Sequence, residues 1–310
     1  MTHPFDQPPL CILGPTASGK SSLAMALAEA LGNVELVSID SMQVYVGMDI
    51  GTAKPSAEEQ ARVPHHLIDV ADPADEFTVS VFQDLWREVA ADIYARGKTP
   101  ILVGGTGLYL RSVIDDLGIP GRFPDAAAAL EPHADDPDWL FAELERLDPV
   151  AASRIDASNT RRLLRALEVT LGSGRPFSSF GPGLTEYPDI PFRLLGLSMP
   201  RPRLDERIAA RYEQQMDCGF LDEVQALARR ARPMGRTARQ ALGYRELLSH
   251  VEDGVALDDA LQEAKVRTNR FSRRQLKWFR RDPRISWVEL GDDGTAEGAL
   301  PAALELISRG

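Results

Sequence analysis

"LGPTASGKSS", residues 13–22, is the stretch that decides the fold. Its spacing Gly14-x-x-x-x-Gly19-Lys20-Ser21 is the P-loop pattern, in which glycines let backbone amides and a helix start surround a phosphate. The apolar run "PLCILG" before it predicts a buried strand, and "SSLAMALAEALG" after it predicts a helix that ends at Gly32. The loop therefore has the strand–loop–helix context that phosphate binding requires.

Further apolar runs alternate with helical patterns along the first part of the chain. "VELVSIDS" (34–41) and "KTPILVGG" (98–105) predict buried strands, and "SVFQDLWREVAADIYARGK" (80–98) predicts a helix. "DIGTAKPSAEEQARVPHH" (49–66) predicts a loop, in which Gly51 allows an unusual backbone, and a short helix ended by Pro64. The alternation predicts an α/β fold, namely a P-loop NTPase-like, doubly wound parallel sheet with its ligands at the carboxyl ends of the strands.

The composition changes from about Gly118. "GIPGRFPDAAAALEPHADDPD" (118–138) is rich in Pro, Asp and Ala, and helical stretches follow it. "FRLLGLSM" (192–199) then returns to strand composition, and "ISWVEL" (285–290) predicts a last strand. We therefore expect a core domain of residues 1–120 and 189–310, with residues 121–188 forming a helical insertion domain.

The sequence also indicates in which cellular compartment the protein is found. No apolar run approaches the ~20 residues that span a bilayer, and "MTHPFDQPPL" lacks the features of a secretory signal. We therefore expect a cytoplasmic protein that does not bind membranes. Cys11 and Cys218 lack paired spacing, which predicts buried or inert thiols rather than a disulfide scaffold or a zinc site. His65 and His66 lack partners at metal-ligand spacing, which favours a structural or solvent-exposed role.

The P-loop identifies a pyrophosphate more surely than it identifies ATP. Lys20 is placed to reach a phosphate, and the Ser21 hydroxyl can ligate Mg²⁺. A nucleotide-hydrolysing site also needs an aspartate at the end of a strand to hold the metal. "ELVSID" ends in Asp40 and "HHLIDV" contains Asp69, so the pattern alone leaves two candidates, of which Asp69 has the more structural setting between apolar neighbours.

One segment concentrates positive charge in a chain whose formal net charge is −11. In "VRTNRFSRRQLKWFRRDPR" (266–284) basic side chains recur at helical spacing, aromatic residues lie between them and Asp282 alone opposes them. The stripe comprises Arg267, Arg270, Arg274, Lys277 and Arg281, with Phe271, Trp278 and Phe279 interleaved. It predicts contact with an RNA backbone. In the alternative interpretation the aromatics are core residues and the arginines pair with scattered acids.

Seven segments in this order resemble the tRNA dimethylallyltransferases. They are "GPTASGKS" (14–21), "SIDSMQVYVGMDIGTAKP" (38–55), "HHLIDV" (65–70), "LVGGTGLYL" (102–110), "RRLLRALEV" (161–169), "QALGYRE" (240–246) and "RRQLKWFRR" (273–281). The resemblance covers nearly the whole chain. It implies transfer of a dimethylallyl group from dimethylallyl pyrophosphate to the exocyclic amine of the adenine adjacent to the anticodon in tRNA. The P-loop would then hold a leaving pyrophosphate without hydrolysing a nucleotide.

The resemblance also implies roles for individual residues around the reacting atoms. Asp40 would be the catalytic base for the amine, with Thr106 near the reacting centre and Lys20 on the phosphate. Mg²⁺ would be the cofactor, with Ser21 as its ligand. The pyrophosphate-binding residues would be Gly14, Pro15, Thr16, Ala17, Ser18, Gly19, Lys20, Ser21 and Arg211.

The same resemblance implies three groups of tRNA contacts, to which the basic stripe adds Arg270, Arg274 and Arg281. The groups are Asp40, Ser41, Met42 and Gln43 with Thr106; Arg161, Arg162, Leu163, Leu164 and Arg165; and Gln240, Ala241, Leu242, Gly243, Tyr244 and Arg245. The arginines of the second group form a basic helix edge, which a merely solvated face would resemble. The expected partners are the tRNA anticodon stem-loop and dimethylallyl pyrophosphate, and we expect a monomer.

Three other functions would use parts of the same sequence. A prenyltransferase of free adenine nucleotides would share the P-loop and Asp40 but would not need the basic stripe. A small-molecule P-loop kinase would have to bind ATP productively. A non-catalytic RNA-binding module is disfavoured by the intact set of Lys20, Ser21 and Asp40.

Overall fold

A computed structural model describes residues 8–181, 183–184, 186–290 and 295–308. The chain divides into two compact units. The first, which we call the core unit, runs up to Leu110 and resumes at Asp189; the second, the helical unit, comprises Arg111–Pro188. The helical unit therefore begins at Arg111, within the helix that follows the "LVGGTG" segment, rather than at residue 121 where the change in composition was expected to mark it.

A six-stranded parallel sheet forms the centre of the core unit, which confirms the predicted doubly wound α/β fold. Its strands are β1 (Leu10–Leu13), β2 (Val34–Ser38), β3 (His65–His66), β4 (Thr99–Gly104), β5 (Arg193–Ser198) and β6 (Ile285–Glu289). They lie in the order β3-β2-β4-β1-β5-β6. The strand order reverses at β1, so the loop after β1 lies where such sheets bind ligands.

Fourteen helices are found in the described part of the chain. They are α1 (Lys20–Leu31), α2 (Ala57–Arg62), α3 (Val79–Ala95), α4 (Gly107–Ile114), α5 (Pro124–Leu130), α6 (Pro137–Leu147), α7 (Pro149–Ala152), α8 (Thr160–Ser173), α9 (Arg201–Asp217), α10 (Phe220–Ala228), α11 (Arg236–Arg239), α12 (Tyr244–Asp253), α13 (Leu257–Phe279) and α14 (Ala296–Ser308). None in that part is both long and apolar enough to cross a membrane.

The helix ends follow from local chemistry. Gly19 and Gly32 adopt left-handed backbone angles on either side of α1, and the Gly32 amide donates to the Ala28 carbonyl. A capping box between Ser56 and Glu59 starts α2, and the chain leaves that helix before Pro64, as predicted.

The helical unit has an apolar core of its own. Leu140 and Leu144 of α6 pack with Leu163 and Leu167 of α8, and all four are fully buried. The side chains of Asp136, Asp148 and Asn159 cap the starts of α6, α7 and α8. Amphipathic helices with these caps satisfy their first amides and bury one face, which is enough to build a small helical domain.

The histidine pair fits the predicted structural role, whereas the two cysteines differ in burial. His66 Nε2 lies 2.7 Å from Glu35 Oε2 on the neighbouring strand. Burial of Glu35 favours its neutral form, but hydrogen bonds from Arg96 and His66 outweigh this and lower its pKa. Cys11 is buried in β1, whereas Cys218 is exposed. Among the described residues, no cluster of three His, Cys, Asp or Glu side chains could hold a metal.

Gly51 is required for a different reason from the one predicted. Its φ angle is not positive, so no unusual backbone explains the glycine. A Cβ atom at this position would lie 2.3 Å from Phe220 Cε2 and 2.4 Å from Tyr244 Cε2. The glycine therefore lets the loop after β2 approach two aromatic rings of α10 and α12.

We expect Gly51→Ala to destabilise the protein by roughly 1–3 kcal/mol, because the added methyl group overpacks a buried aromatic contact. Chemical denaturation followed by circular dichroism measures this loss. Gly121→Ala is the matched control, since a Cβ there would meet open space at ordinary backbone angles. Equal stability of the two variants would contradict the packing argument.

Candidate active site

Two adjoining cavities open at the carboxyl edge of the sheet in the core unit. The larger has a volume of about 530 Å³ and the smaller about 290 Å³. Both are lined by the phosphate loop, the segment after β2, α9 and α13. Their shared wall consists of Thr16, Asp40, Thr52, Arg211 and Phe271. A group bound in one cavity can therefore meet a group bound in the other at this wall.

The phosphate loop has the backbone that its glycines predict. Gly14 has φ 148°, and a Cβ there would lie 2.6 Å from the Leu197 carbonyl oxygen. Ala17 has φ 63°, a left-handed conformation that is uncommon outside glycine. The loop leads directly into α1, so its amides and the positive end of the helix dipole face the smaller cavity. This is a ready-made anion site.

Lys20 and Arg211 are two half-buried cations beside this loop. Lys20 Nζ donates to the Pro15 carbonyl at 2.6 Å, and Arg211 Nη1 donates to Thr16 Oγ1 at 3.1 Å. Burial lowers the pKa of Lys20 to about 8; the Asp40 carboxylate opposes this shift and the Arg211 charge adds to it. Burial also lowers the pKa of Arg211. Both cations would gain from a bound anion, as the predicted pyrophosphate role requires.

Arg207, four residues before Arg211 on α9, accompanies it at the site. Both side chains line the smaller cavity. Arg211 is held there by Thr16 and by the Gly51 carbonyl, which accepts from Nη2 at 3.3 Å.

Asp40 lies just beyond the end of β2 beside the phosphate loop, as predicted. It lines both cavities. Its Oδ1 accepts a hydrogen bond from the Met42 amide at 2.9 Å, which fixes the carboxylate. Oδ2 makes no hydrogen bond within the part of the chain that the structure describes, so it can accept one from a ligand. Thr106, at the start of α4, faces the larger cavity, and its Oγ1 accepts from the Ser41 amide at 3.2 Å.

The structure distinguishes the roles of Asp40 and Asp69, the two candidates for the aspartate at the end of a strand. Asp69 Oδ1 lies 2.5 Å from Lys54 Nζ, whose other contacts are the Tyr45 carbonyl and Asp49 Oδ1, both at 2.6 Å. Three acceptors use all the protons of this ammonium group, and they tie the segments on either side of it together. Asp69 is thus structural, and Asp40 is the carboxylate that lies beside the phosphate loop.

Ser21 and Asp40 are oxygen ligands of the kind that Mg²⁺ prefers. Both line the smaller cavity, and the exposed Ser21 side chain makes no hydrogen bond with other described residues. Mg²⁺ keeps several waters and usually takes only one or two protein ligands together with substrate phosphates. The donor set therefore fits the predicted ion.

Glu223 of α10 is a site residue that the sequence analysis missed. Its Oε2 accepts from the amides of Asp49 and Ile50 at 3.0 and 2.8 Å, and its Oε1 accepts from the Gly51 amide at 3.3 Å and the Tyr244 hydroxyl at 2.6 Å. One carboxylate thereby fixes the turn whose Gly51 carbonyl holds Arg211. Partners more than 170 residues away leave no local motif that could have found it.

The "QALGYR" segment forms part of the larger cavity. Gln240, Ala241 and Leu242 line it. Tyr244 also borders this cavity, but its ring is fully buried and its hydroxyl donates to Glu223, so its tRNA contact stays a prediction. The next residue, Arg245, is exposed. Gly243 has φ 83° and starts α12.

The side-chain amide of Gln43, the last residue of the "DSMQ" group, makes its hydrogen bonds within the protein. Its Oε1 accepts from Ser38 Oγ at 2.7 Å, and its Nε2 donates to the carbonyls of Thr52 and Ala53 at 3.2 and 3.1 Å. The side chain therefore holds the end of β2 against the loop at 52–53.

The basic stripe of α13 lies partly on the larger cavity, which Arg267, Arg270 and Arg274 line. Arg270 and Arg274 are exposed, whereas Arg267 pairs with Glu246 at 3.1 Å.

Two details of the predicted stripe are wrong. Arg281 lies beyond the end of α13 at Phe279, and Asp282 is buried and pairs with Arg284 instead of opposing the stripe. Phe279 is core, while Phe271 lines both cavities.

The predicted contacts on α8 belong to the helical unit. Arg161 and Arg162 are exposed, but Leu163 is fully buried in the core of this unit and cannot touch RNA, so that prediction is wrong. Arg165 turns away from the predicted edge: its guanidinium pairs with Glu168 at 2.7 Å and donates to the Pro120 and Gly121 carbonyls. Leu164 packs against the same core. Helical spacing defined the edge but not which of its members face outward.

The family models agree with this geometry. The "IPP transferase" model matches residues 43–282, and the "Isopentenyl transferase" model matches residues 10–71. The first covers more than half of the chain.

Similar proteins and structures carry related names. The chain is 47% identical over 296 residues to the tRNA dimethylallyltransferase of Bifidobacterium longum, covering 93% of this chain and 88% of that protein. It is 45% identical over 303 residues to the enzyme of the same name from Streptomyces coelicolor, covering 97% and 96%. A full-length tRNA isopentenylpyrophosphate transferase from Bacillus halodurans superposes with a TM-score of 0.69 at 36% identity, covering 98% of both chains.

A second structure, a eukaryotic dimethylallyltransferase described as acting on tRNA, superposes with a TM-score of 0.81 at 26% identity, covering 98% of this chain and 80% of that one. The long, near-complete matches and the shared fold agree with the phosphate loop and the Asp40 wall described above. The chain belongs to the tRNA dimethylallyltransferase family.

Proposed function

We propose that the protein transfers a dimethylallyl group from dimethylallyl pyrophosphate to the exocyclic amine of the adenine adjacent to the anticodon of tRNA. The observation that carries this proposal is the wall shared by the two cavities, where Asp40 lies with Thr16 and Arg211. The smaller cavity suits a diphosphate, and the larger suits a purine with its prenyl acceptor amine. The names of the relatives, all enzymes that modify tRNA, support the assignment.

The leaving group is stabilised at the phosphate loop. As the bond between carbon 1 of the dimethylallyl group and its oxygen breaks, negative charge grows on the pyrophosphate. The start of α1, Lys20 and Arg211 are preorganised around this charge, where the surrounding protein already disfavours the unpaired cations. Mg²⁺ held by Ser21, with Asp40 within the same cavity, would supply further charge neutralisation on the phosphates.

The nucleophile is an amine whose lone pair is delocalised into the purine ring. The Asp40 carboxylate accepts one amine proton through its available Oδ2, which orients the nitrogen and removes the positive charge that attack creates. A new carbon–nitrogen bond forms as the carbon–oxygen bond breaks, the proton passes to Asp40 and pyrophosphate departs. Thr106 adds a hydroxyl beside Asp40, fixed by the Ser41 amide.

The adenine must leave the anticodon stack to reach this wall. The larger cavity, about 530 Å³, is lined by Met42, Leu242 and Phe271 together with polar groups, which suits an extruded base and an apolar prenyl chain. The exposed arginines Arg270 and Arg274 on its rim-forming helix α13 supply charge for the RNA backbone.

Prenylation of free adenine nucleotides is the second candidate. It needs the same Asp40 wall and phosphate loop. The cationic side chains of α13 at the larger cavity favour RNA, because a single nucleotide does not require arginines spread over two helical turns.

Labelled dimethylallyl pyrophosphate tests the function directly. Incorporation is expected with unmodified tRNA and not with AMP, ADP or no acceptor, and ATP should not be hydrolysed. In the same assay Asp40→Asn should lower the turnover number by ~10²–10⁴-fold, because Asn cannot accept the amine proton.

Pyrophosphate binding by Asp40→Asn, measured by calorimetry, should persist, which separates catalysis from folding. Asp84→Asn changes an exposed aspartate of α3 and is the matched control. Near-normal turnover of Asp40→Asn would remove Asp40 as the base, and labelling of AMP in preference to tRNA would replace the proposed acceptor.

Removing three cations of the basic stripe should weaken tRNA binding. For Arg270→Gln/Arg274→Gln/Arg281→Gln we expect a higher Kd for tRNA and a shallower salt dependence, with a change in slope of about 0.7–0.9 for each lost phosphate contact. Filter binding over a salt series measures both quantities, and pyrophosphate affinity should stay within about twofold. Arg87→Gln/Arg201→Gln/Arg203→Gln removes equal charge from exposed positions elsewhere and controls for net charge. Equal tRNA affinity of the two triple variants would assign the stripe to folding.

Pyrophosphate affinity should depend on pH through Lys20. Below its pKa of about 8 the lysine carries its charge before binding; above it, binding must take up a proton. The affinity should therefore be level below pH 8 and should fall above it by up to about tenfold per pH unit. Calorimetry from pH 7 to 9.5 measures the bend.

Subtracting the profile of Lys20→Met removes the ionisation of pyrophosphate itself, and Lys98→Met is the control for loss of a lysine elsewhere. In Asp40→Asn the bend should move to lower pH, since the carboxylate that favours charged Lys20 is gone. A bend that survives in Lys20→Met would assign it to another group.

A further inference from the structure

Gln275 of α13 lies within the "RRQLKWFRR" segment but has been given no role, and it contacts two segments of the site. Its side chain is only 8% exposed. Oε1 accepts a hydrogen bond from the Thr16 amide at 2.9 Å, and Nε2 donates to the Gly105 carbonyl at 2.9 Å. One side-chain amide therefore joins α13 to the phosphate loop and to the glycine turn that precedes Thr106.

The two contacts demand an amide in one orientation. Thr16 offers a donor and Gly105 offers an acceptor, so a glutamate could satisfy only the first and a methionine neither. Gly105 also has to lack a side chain here, because a Cβ would lie 2.2 Å from Gln275 Nε2. The close approach shows that glutamine and glycine are matched to each other.

The position of these contacts links them to the reaction. Thr16 lies in the wall that the two cavities share, and its hydroxyl holds Arg211 while its amide is held by Gln275. Thr106 follows Gly105 directly and faces the larger cavity. On the same helix, Arg270, Phe271 and Arg274 line that cavity. The three segments thus meet at one buried side chain.

We propose that Gln275 is a positioning residue of the transfer reaction, which holds the phosphate loop and the Gly105 turn in register with α13. Gln275 lines the smaller cavity, and both hydrogen-bonding groups of its side-chain amide are engaged by Thr16 and Gly105, through which it acts. The leaving diphosphate is thereby placed at the distance from the acceptor base that the reaction needs. This inference rests on the proposed function.

Gln275→Met is the first variant, because it keeps volume and helix propensity while removing both hydrogen bonds. We expect the Kd for inorganic pyrophosphate and the KM for dimethylallyl pyrophosphate to rise by about tenfold, and kcat to fall by about tenfold, since small misplacements of reacting groups are costly. The Kd for tRNA should stay within about twofold, because the exposed arginines are unchanged. Gln262→Met, at an exposed position of α13, is the matched control.

A double-mutant cycle with Gly105 tests the contact itself. Gly105→Ala alone should impair pyrophosphate binding, because its methyl group displaces the Gln275 amide. In a Gln275→Ala background the same substitution should have a clearly smaller effect, since the 2.2 Å clash with Nε2 is gone and only the Gly14 carbonyl oxygen, at 3.3 Å, remains close. Equal effects of Gly105→Ala in both backgrounds would overturn the proposal.

The outcomes separate this inference from the function on which it rests. If the wild-type chain binds neither pyrophosphate nor tRNA, the proposed function fails and the inference falls with it. If the wild type binds both and Gln275→Met has wild-type kinetics, the inference alone is wrong. Equal losses of pyrophosphate and tRNA affinity with a lower Tm would make Gln275 a folding residue, which also overturns it. If Gln275→Met does not fold, the Gly105 cycle decides.

Discussion

Two partly desolvated cations beside one loop are the constraint on which the rest of the site depends. Lys20 and Arg211 are half-buried, and desolvation by the surrounding protein penalises their charged forms. Main-chain carbonyls of Pro15 and Gly51 and the Thr16 hydroxyl partly satisfy them, while Asp40 provides the nearest opposing charge. Such a site favours an incoming polyanion strongly, because the anion restores the solvation that folding removed. The parallel sheet matters here chiefly because the end of β1 places the loop between these charges.

Loops can hold charges accurately only if the rest of the chain holds the loops. In the core unit this is done by single side chains with several hydrogen bonds each: Glu223 on the turn at 49–51, Lys54 on Tyr45, Asp49 and Asp69, and Gln43 on the carbonyls of 52 and 53. Each spans segments that are not neighbours in regular structure. Rigidity without secondary structure follows, and the cost of ordering the acceptor site is met during folding and not during binding.

Local patterns predicted five of the six strands, the phosphate loop and the end of α1, because those features depend on residues close together in sequence. They missed the two-residue strand β3 (His65–His66), which ends a stretch predicted as a loop and a short helix. They also placed Asp40 at the end of β2. What they could not predict depends on packing. Helical spacing marked Arg165 as part of a basic edge, but its guanidinium pairs with Glu168 and with the Pro120 and Gly121 carbonyls. Leu163 is buried in the core of the helical unit, and the Tyr244 ring packs against Phe220. No local pattern assigned a role to Gln275 or Glu223, because the main-chain partners of Gln275 lie 259 and 170 residues away and those of Glu223 lie 172–174 residues away.

The charges of α13 are sorted along its length. Asp258 and Asp259 occupy its first turn and Lys277 its last, an arrangement that complements the helix dipole and concentrates arginine toward one end. The chain as a whole nevertheless carries a formal charge of −11. An anion-exchange column near neutral pH should therefore retain the molecule through its net negative charge. One end of α13 nevertheless carries the arginines that attract a polyanion. Chromatographic behaviour and affinity for nucleic acid report different length scales of the same charge distribution.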